Sequence, residues 1–183
     1  NDDVTLLYLT KPNYTTLFRK SFRIASDMPH VIEANKEMET IILECNMNEK
    51  SGYDILFIFN ELLMNAFEHG SLHVDYYRKK ELIQSGEYEE FLTNQTPKRT
   101  RHITIDVELL QTSENVLFLK VCIEDEGDGF AFSDILKLED PIGGNSYSGR
   151  GVWMAKNASD GIFFNEKGNK TIFFKKCTPN TSK

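Results

Sequence analysis

The stretch FNELLMNAFEHG, residues 59–70, combines the apolar bulk of a buried helix with polar side chains at regular spacing. Glu61, Asn65 and His69 follow one another at intervals of four residues. Side chains four apart share one face of a helix, so these three predict a polar stripe. Burying such groups unpaired is costly, so the stripe must face water, a partner or a ligand. The alternative is an amphipathic helix with one solvated edge.

Composition restricts the class of protein. The chain has 183 residues, 40% of them hydrophobic and 27% charged, which predicts one folded domain with a real core. A net charge of −7 argues against non-specific nucleic-acid binding. Three scattered cysteines without CxxC spacing predict reduced thiols in a cytoplasmic protein, not a zinc site. We find no apolar run of membrane-spanning length and no signal-peptide pattern.

Alternating β-forming residues predict strands at the start of the chain and in its second half. The predicted strands cover residues 3–10, 15–26, 101–110, 115–125, 161–166 and 170–176. The order is strands, helices, strands, then a helix and a hairpin. This order predicts an α+β fold, with one mixed, mostly antiparallel sheet and helices on one face.

Two helices are predicted in the first half of the chain. Asp27 is the expected N-cap of a helix that runs to about Cys45. The segment from Asn46 to Gly52 is expected to break this helix. A second helix is expected from about Tyr53 to His69, with Gly70 as its C′ residue. The predicted buried stripe of the first helix is Val31, Ile32, Met38, Ile41 and Ile42.

Residues 71–100 differ from the flanking segments because they are polar, charged and interrupted at Gly86 and Pro97. This pattern predicts two short surface helices in an insertion, not a separate domain. A further helix is expected after Gly149.

The stretch EDEGDGF, residues 124–130, places Asp125 at the end of a predicted strand. Gly127 and Gly129 permit positive φ and let a ligand approach the backbone closely. An aspartate in this position can accept a hydrogen bond from an exocyclic amine. The alternative is an acidic β-turn, since Asp-Gly pairs are common in turns.

The stretch GGNSYSGRGVWMAK, residues 143–156, is a glycine-rich loop leading into a helix. Backbone N–H groups at a helix start bind phosphate, and Arg150 would add a charge-assisted contact. The stretch lacks the GK[ST] of a Walker A loop and the strand–GxGxxG–helix order of a Rossmann fold. A mobile surface loop is the alternative.

In this order, the three stretches resemble the motifs of the GHKL ATPase superfamily. These motifs are E-x-x-x-N-A-x-x-H-G on a helix, D-x-G-x-G after a strand, and G-x-G before a helix. Within the superfamily, the chain is most similar to RsbW-type (SpoIIAB-like) anti-sigma-factor serine kinases. The resemblance covers about Phe22 to Lys176 and implies a two-layer sandwich that binds ATP and Mg²⁺.

The resemblance also implies roles for individual residues. Asn65 would hold Mg²⁺ against the ATP phosphates, and Glu61 would be the general base. Asp125 would accept a hydrogen bond from the adenine amino group, supported by Thr171. The other residues implied in nucleotide binding are Glu68, His69, Gly127, Gly129, Phe130, Gly149, Arg150, Gly151 and Val152.

The implied activity is phosphorylation of a serine or threonine on a STAS-type anti-anti-sigma factor in a bacterial partner-switching pathway. A sigma factor is a further implied partner, and the family often forms homodimers.

Two features depart from the family pattern. Asn169 and Lys170 stand where many members have Gly-Thr, and the insertion at 71–100 is longer than in minimal members.

The segment DDVTLLYL, residues 2–9, resembles the terminal strand of SpoIIE-type metal-dependent serine phosphatases. We therefore expect residues 1–12 to be the remnant of an upstream phosphatase domain or a linker, and residues 13–183 to form the kinase domain. Such fusions often carry a receiver domain further upstream. The alternative is an ordinary edge strand.

Two other functions remain open at this point. The first is a nucleotide-dependent binding switch with little catalysis, and Glu61 argues against it because binding alone needs no base. The second is the ATP-binding domain of a sensor histidine kinase. It is disfavoured because no helical hairpin with a phospho-accepting histidine precedes Asp27.

Overall fold

The computed structural model describes residues 13–94, 101–129 and 150–180, which form an α+β fold. The strand predicted at 3–10 lies outside these ranges. The strands are β1 Tyr14–Ala25, β2 His102–Thr112, β3 Leu117–Asp125, β4 Gly161–Phe164 and β5 Lys170–Cys177. The helices are α1 Met28–Glu44, α2 Glu49–Asn65, α3 Tyr76–Ser85, α4 Tyr88–Asn94 and α5 Arg150–Ala158.

The five strands form one sheet in the order β1-β2-β3-β5-β4. All pairings among these strands are antiparallel, so this part of the chain lacks the parallel component expected of a mixed sheet. Two of the four pairings follow from short connections, because β2–β3 and β4–β5 are hairpins and a hairpin joins antiparallel strands.

One face of the sheet carries the core. Alternate residues of β2, such as Ile103 and Ile105, are buried on this face. Asp106 lies on the opposite face of the strand and is exposed. Buried side chains of α1 and α2, including Met38 and Phe59, belong to the same cluster. The two helices therefore cover the apolar face, which agrees with the predicted two-layer arrangement.

The start of α1 is as predicted. Asp27 accepts a hydrogen bond from the backbone N–H of His30 at 3.0 Å, which caps the helix. The predicted buried stripe is wrong at Ile32, which is 48% exposed. Ala34 is buried instead, because steps of three and four residues from Val31 lead to positions 34 and 38.

Helix α2 begins earlier than predicted. Asn48 caps it by accepting a hydrogen bond from the backbone N–H of Ser51 at 2.9 Å, so the helix starts at Glu49 and not near Tyr53. The sequence prediction treated Gly52 as part of a break. In the structure Gly52 is buried, and a Cβ there would lie 3.1 Å from the Ile42 side chain. This glycine lets α1 and α2 pack closely.

The end of α2 also differs from the prediction. After Asn65 the backbone continues as a π-helical turn, Ala66–Ser71. Gly70 lies inside this turn and is buried, so it is not a C′ residue. Turns of this kind often mark functional sites. Here the turn carries His69 and Gly70 towards the end of β3.

The insertion contains two short helices, as predicted. Asp75 caps α3 by accepting from the backbone N–H of Arg78 at 2.8 Å, and Gly86 ends it with φ of 75°. Leu82 of α3 and Leu92 of α4 are buried. No helix in the described ranges is long and apolar enough to cross a membrane.

The cap of α2 is testable by substitution. Asn48→Ala removes the acceptor for the Ser51 N–H and should lower the free energy of unfolding by about 1 kcal/mol. Chemical denaturation of the purified chain measures this loss, which corresponds to roughly 2–4 °C in melting temperature. Asn48→Asp keeps an acceptor and serves as the control. Equal stability of the alanine variant and the parent would show that the cap contributes nothing.

Candidate functional site

Five of the predicted site residues line one pocket. It lies where the end of α2 and the π-helical turn meet the ends of β3 and β5. Apolar side chains of Leu62, Ile123 and Phe164 also line it. The pocket therefore combines apolar walls with a few polar groups, as small-molecule sites do. The five predicted residues are Asn65, His69, Asp125, Gly129 and Thr171.

Asp125 is a buried carboxylate, only 7% exposed, at the end of β3. Its Oδ1 accepts a hydrogen bond from the backbone N–H of Gly127 at 2.7 Å. Burial raises the pKa of Asp125, against the opposing effect of the Gly127 N–H and of the charges on Lys167 and Arg101. The pocket thus contains a positioned hydrogen-bond acceptor that is largely withdrawn from water.

Three glycines make this arrangement possible. A Cβ at Gly70 would overlap the Asp125 carboxylate, and a Cβ at Gly127 would overlap the Gly70 carbonyl oxygen. Gly129 has φ of +80°, and a Cβ there would overlap the Lys167 carbonyl oxygen. The sequence prediction recognised two of these glycines for their flexibility. The structure shows that close backbone approach is the common requirement, and it adds Gly70 to the group.

Sequence reasoning missed two residues whose hydrogen bonds fix the backbone around the pocket. Arg101 Nη1 donates to the Gly70 carbonyl oxygen at 2.5 Å, which ties the π-helical turn to the start of β2. Asn169 Nδ2 donates to the Asp125 carbonyl oxygen at 2.7 Å, and the Asn169 carbonyl accepts from the Asp125 N–H at 2.9 Å. Arg101 has no motif around it, so only its contact reveals the role. Asn169 was noted only as a departure from the family pattern.

Glu61 is a half-buried carboxylate on α2, next to the start of α5. The approach is so close that a Cβ on Gly151 would overlap Glu61 Oε2. Burial raises the pKa of Glu61; the Lys79 charge lowers it and the Glu68 charge raises it. A partly desolvated carboxylate of this kind is a better proton acceptor than an exposed one.

Asn65 lies one helical turn after Glu61 and lines the pocket. Its Nδ2 atom is buried and has no hydrogen-bond partner within the described part of the chain. An unpaired buried amide costs free energy, so a native structure keeps one only for a reason. Its position in a pocket wall fits the binding of a ligand that offers a hydrogen-bond acceptor.

The remaining predicted residues are more dispersed. His69 lines the pocket, and its Nδ1 lies 2.6 Å from the Val74 carbonyl oxygen. Glu68 points away from the pocket towards α3 and α4. Val152 is buried on α5, and Arg150 is half-buried at the first position of that helix. Phe130 and Gly149 lie outside the described ranges.

No protein-family model matches the chain, and no curated protein sequence matches it significantly. Within residues 13–94, 101–129 and 150–180, no group of three or more His, Cys, Asp or Glu side chains is placed to hold a metal ion. The candidate function therefore depends on the three motifs, on the pocket that the first two line and on the contact of the third with Glu61.

Asp125→Asn tests whether the buried carboxylate of Asp125 lowers the stability of the folded chain at neutral pH. Because the folded-state pKa of Asp125 is raised above 3.8, its stabilising contribution is present below the unfolded pKa and is lost as pH rises through the folded pKa. The neutral amide avoids this loss, so the variant should melt roughly 2–4 °C higher at neutral pH. The gain should shrink as pH falls towards about 4.

Thermal unfolding at several pH values without nucleotide measures this difference. Asp106→Asn, on the exposed face of β2, is the matched control and should show no such gain. A lower melting temperature for Asp125→Asn at neutral pH would contradict the prediction.

Proposed function

We propose that the chain is a Mg-ATP-dependent protein serine/threonine kinase domain with the GHKL type of nucleotide site. The observation that carries the proposal is the convergence of three separate motifs. Asn65 and Asp125 line one pocket, and Gly151 packs against Glu61 one helical turn from Asn65. Motifs of chance origin have no reason to meet in this way.

The side chains that line the pocket support the binding of an adenine base. Asp125 supplies a buried acceptor for an exocyclic amine, and Thr171 lies on the neighbouring strand β5. Leu62, Ile123 and Phe164 provide apolar surface for a flat ring. A buried acceptor discriminates strongly between bases, because a base without an amine in this position leaves the acceptor without a hydrogen bond.

The phosphates would extend from this pocket towards Glu61 and the start of α5. Asn65 would hold Mg²⁺ through its amide oxygen. Its unpaired Nδ2 would donate a hydrogen bond to a phosphate oxygen. When bound, the ion supplies positive charge that offsets the charge of the phosphates. Backbone N–H groups at the first turn of α5 are oriented for anion binding, and Arg150 stands at that turn.

In the proposed reaction, the acceptor hydroxyl oxygen bonds to the γ-phosphorus as the bond to the bridging oxygen of ADP breaks. Glu61 takes the hydroxyl proton, and ADP leaves with the bond's electron pair. The half-buried carboxylate of Glu61 lies close to Gly151 at the start of α5. The chain thus acts mainly by positioning its substrates, as phosphoryl transfer requires.

A protein acceptor is favoured by exposed apolar side chains beside Glu61. Tyr53 and Phe57 precede Glu61 on α2 by eight and four residues and are 65% and 39% exposed. Met154, on α5, is 37% exposed. We call these three residues the α2–α5 patch. Exposed apolar clusters of this kind often mark protein-interaction sites.

We propose that the patch is one surface, because α2 and α5 run antiparallel side by side. Gly151 lies beside Glu61. At the other end, Lys175 joins the two helices, with its Nζ 3.0 Å from Asp54 Oδ2 and 2.6 Å from the Ala158 carbonyl oxygen. Met154 is about midway between Gly151 and Ala158 along α5, and Phe57 is about midway between Asp54 and Glu61 along α2. We propose that a STAS-type domain docks here and presents its serine or threonine to Glu61.

Glu61→Gln is the direct test of transfer. Loss of the base should lower the rate of phosphoryl transfer from labelled Mg-ATP by about 10²- to 10⁴-fold. Binding of ATP should persist, since the amide keeps the size of the side chain. The assay uses a STAS-domain protein encoded near this chain, and calorimetry measures ATP affinity. Glu49→Gln, an exposed carboxylate at the start of α2, is the matched control.

A parent protein that binds ATP tightly and transfers no phosphate would overturn the kinase proposal. The same pocket would then belong to a nucleotide-dependent binding switch. Full transfer by Glu61→Gln would instead leave the kinase activity standing and remove Glu61 from the role of base.

The docking patch has its own test. The double substitution Phe57→Ser and Met154→Ser removes apolar surface without touching the pocket, so KM for the protein substrate should rise about tenfold or more. The dissociation constant for ATP should be unchanged. Leu43→Ser, which alters a 78% exposed leucine on α1, is the control. An unchanged KM in the double variant would place substrate docking elsewhere.

A further inference from the structure

Glu68 is a buried carboxylate that the adenine pocket does not use. It is 1% exposed, and it faces the insertion. Lys79 Nζ, from α3, lies 2.5 Å from Glu68 Oε2, and the Tyr88 hydroxyl, from α4, donates to Glu68 Oε1. A carboxylate this deep requires such partners. The insertion is therefore attached to the helix that carries the proposed catalytic residues.

Lys79 also acts on Glu61. Its charge lowers the pKa of Glu61, whereas the Glu68 charge raises it. Tyr88 is close to the same carboxylates, because both Glu68 and Glu61 raise its pKa, after the larger effect of burial. The ammonium of Lys79 thus lies near two carboxylates, one buried and one at the proposed transfer site.

The Lys79 side chain is partly accessible to solvent. The Lys79 side chain is 34% exposed, whereas the Glu68 side chain is 2% exposed. Lysine has a flexible stem and three donors, so one ammonium can contact two anions together or move between them. Tyr88 holds the other oxygen of Glu68, so a shift of Lys79 would not leave that carboxylate without a hydrogen bond.

We propose that Lys79 binds the terminal phosphate of the nucleotide, so that the insertion completes the phosphate site. This inference rests on the proposed function, which places the γ-phosphate beside Glu61. Glu61 and Glu68 would repel that phosphate, and Lys79 is a cation that interacts with both carboxylates. ATP has this terminal phosphate and ADP lacks it. The contact with Lys79 therefore raises the affinity of the chain for ATP relative to ADP.

The test compares two nucleotides in one variant. Lys79→Met should weaken Mg-ATP binding by about ten- to a hundredfold, the effect of one charge-assisted hydrogen bond. Mg-ADP binding should stay within about twofold of the parent. Calorimetry on the full chain measures both. Lys79→Arg should retain most of the preference for ATP, and Lys36→Met, an exposed lysine on α1, should change neither affinity.

A structural role for the cluster makes a different prediction. Tyr88→Phe removes the hydroxyl that holds Glu68 and leaves the Lys79 charge in place. If the cluster only fastened the insertion, both variants would weaken ATP and ADP binding together. An unchanged ratio of the two affinities in Lys79→Met would overturn the inference. Should this variant fail to fold, Lys79→Gln keeps a donor for Glu68 and gives the same comparison.

Failure of the inference and failure of the proposed function are distinguishable. A parent that binds neither nucleotide overturns both. A parent that binds both nucleotides and phosphorylates no protein overturns the kinase activity alone. An unchanged affinity ratio in Lys79→Met, with transfer intact in the parent, overturns only the assignment of Lys79.

Discussion

The close approach of the π-helical turn to the end of β3 is the constraint on which the rest of the site depends. Asp125 is buried there because Gly70 has no side chain to collide with it and because the Gly127 N–H satisfies one of its oxygens. Arg101 donates a hydrogen bond to the Gly70 carbonyl oxygen and so fixes the position of the turn. A larger residue at position 70 would separate α2 from the sheet, and Asn65 and Asp125 would no longer line one pocket.

In the absence of a ligand, the site lowers the stability of the folded chain. Burial raises the pKa of both Glu61 and Asp125, and Asn65 keeps a buried amide without a partner in the described part of the chain. Each feature opposes folding, and each is compatible with a polar ligand that would satisfy it. Such local costs are expected where a protein gives up stability for function. The apolar cluster beneath α1 and α2 offsets them.

Local patterns predicted most elements of the fold. The hairpins, β1 and the Asp27 cap follow from alternation, turn residues and capping, all of which act over a few residues. The errors occur where distant contacts decide. Gly52 looked like a break until its packing against Ile42 was visible, and Ile32 looked buried although the contact face of α1 passes through Ala34.

The sequence by itself determined which side chains can carry the chemistry, because motif spacing placed Glu61, Asn65 and Asp125 at the end of a helix and a strand. Only the tertiary structure decided which of them meet. Spacing by four predicts a shared face for Asn65 and His69, and both line the pocket, but it does not indicate which way Glu68 faces. Glu68 faces Lys79 and not the pocket, through a contact that no local pattern in the sequence encodes.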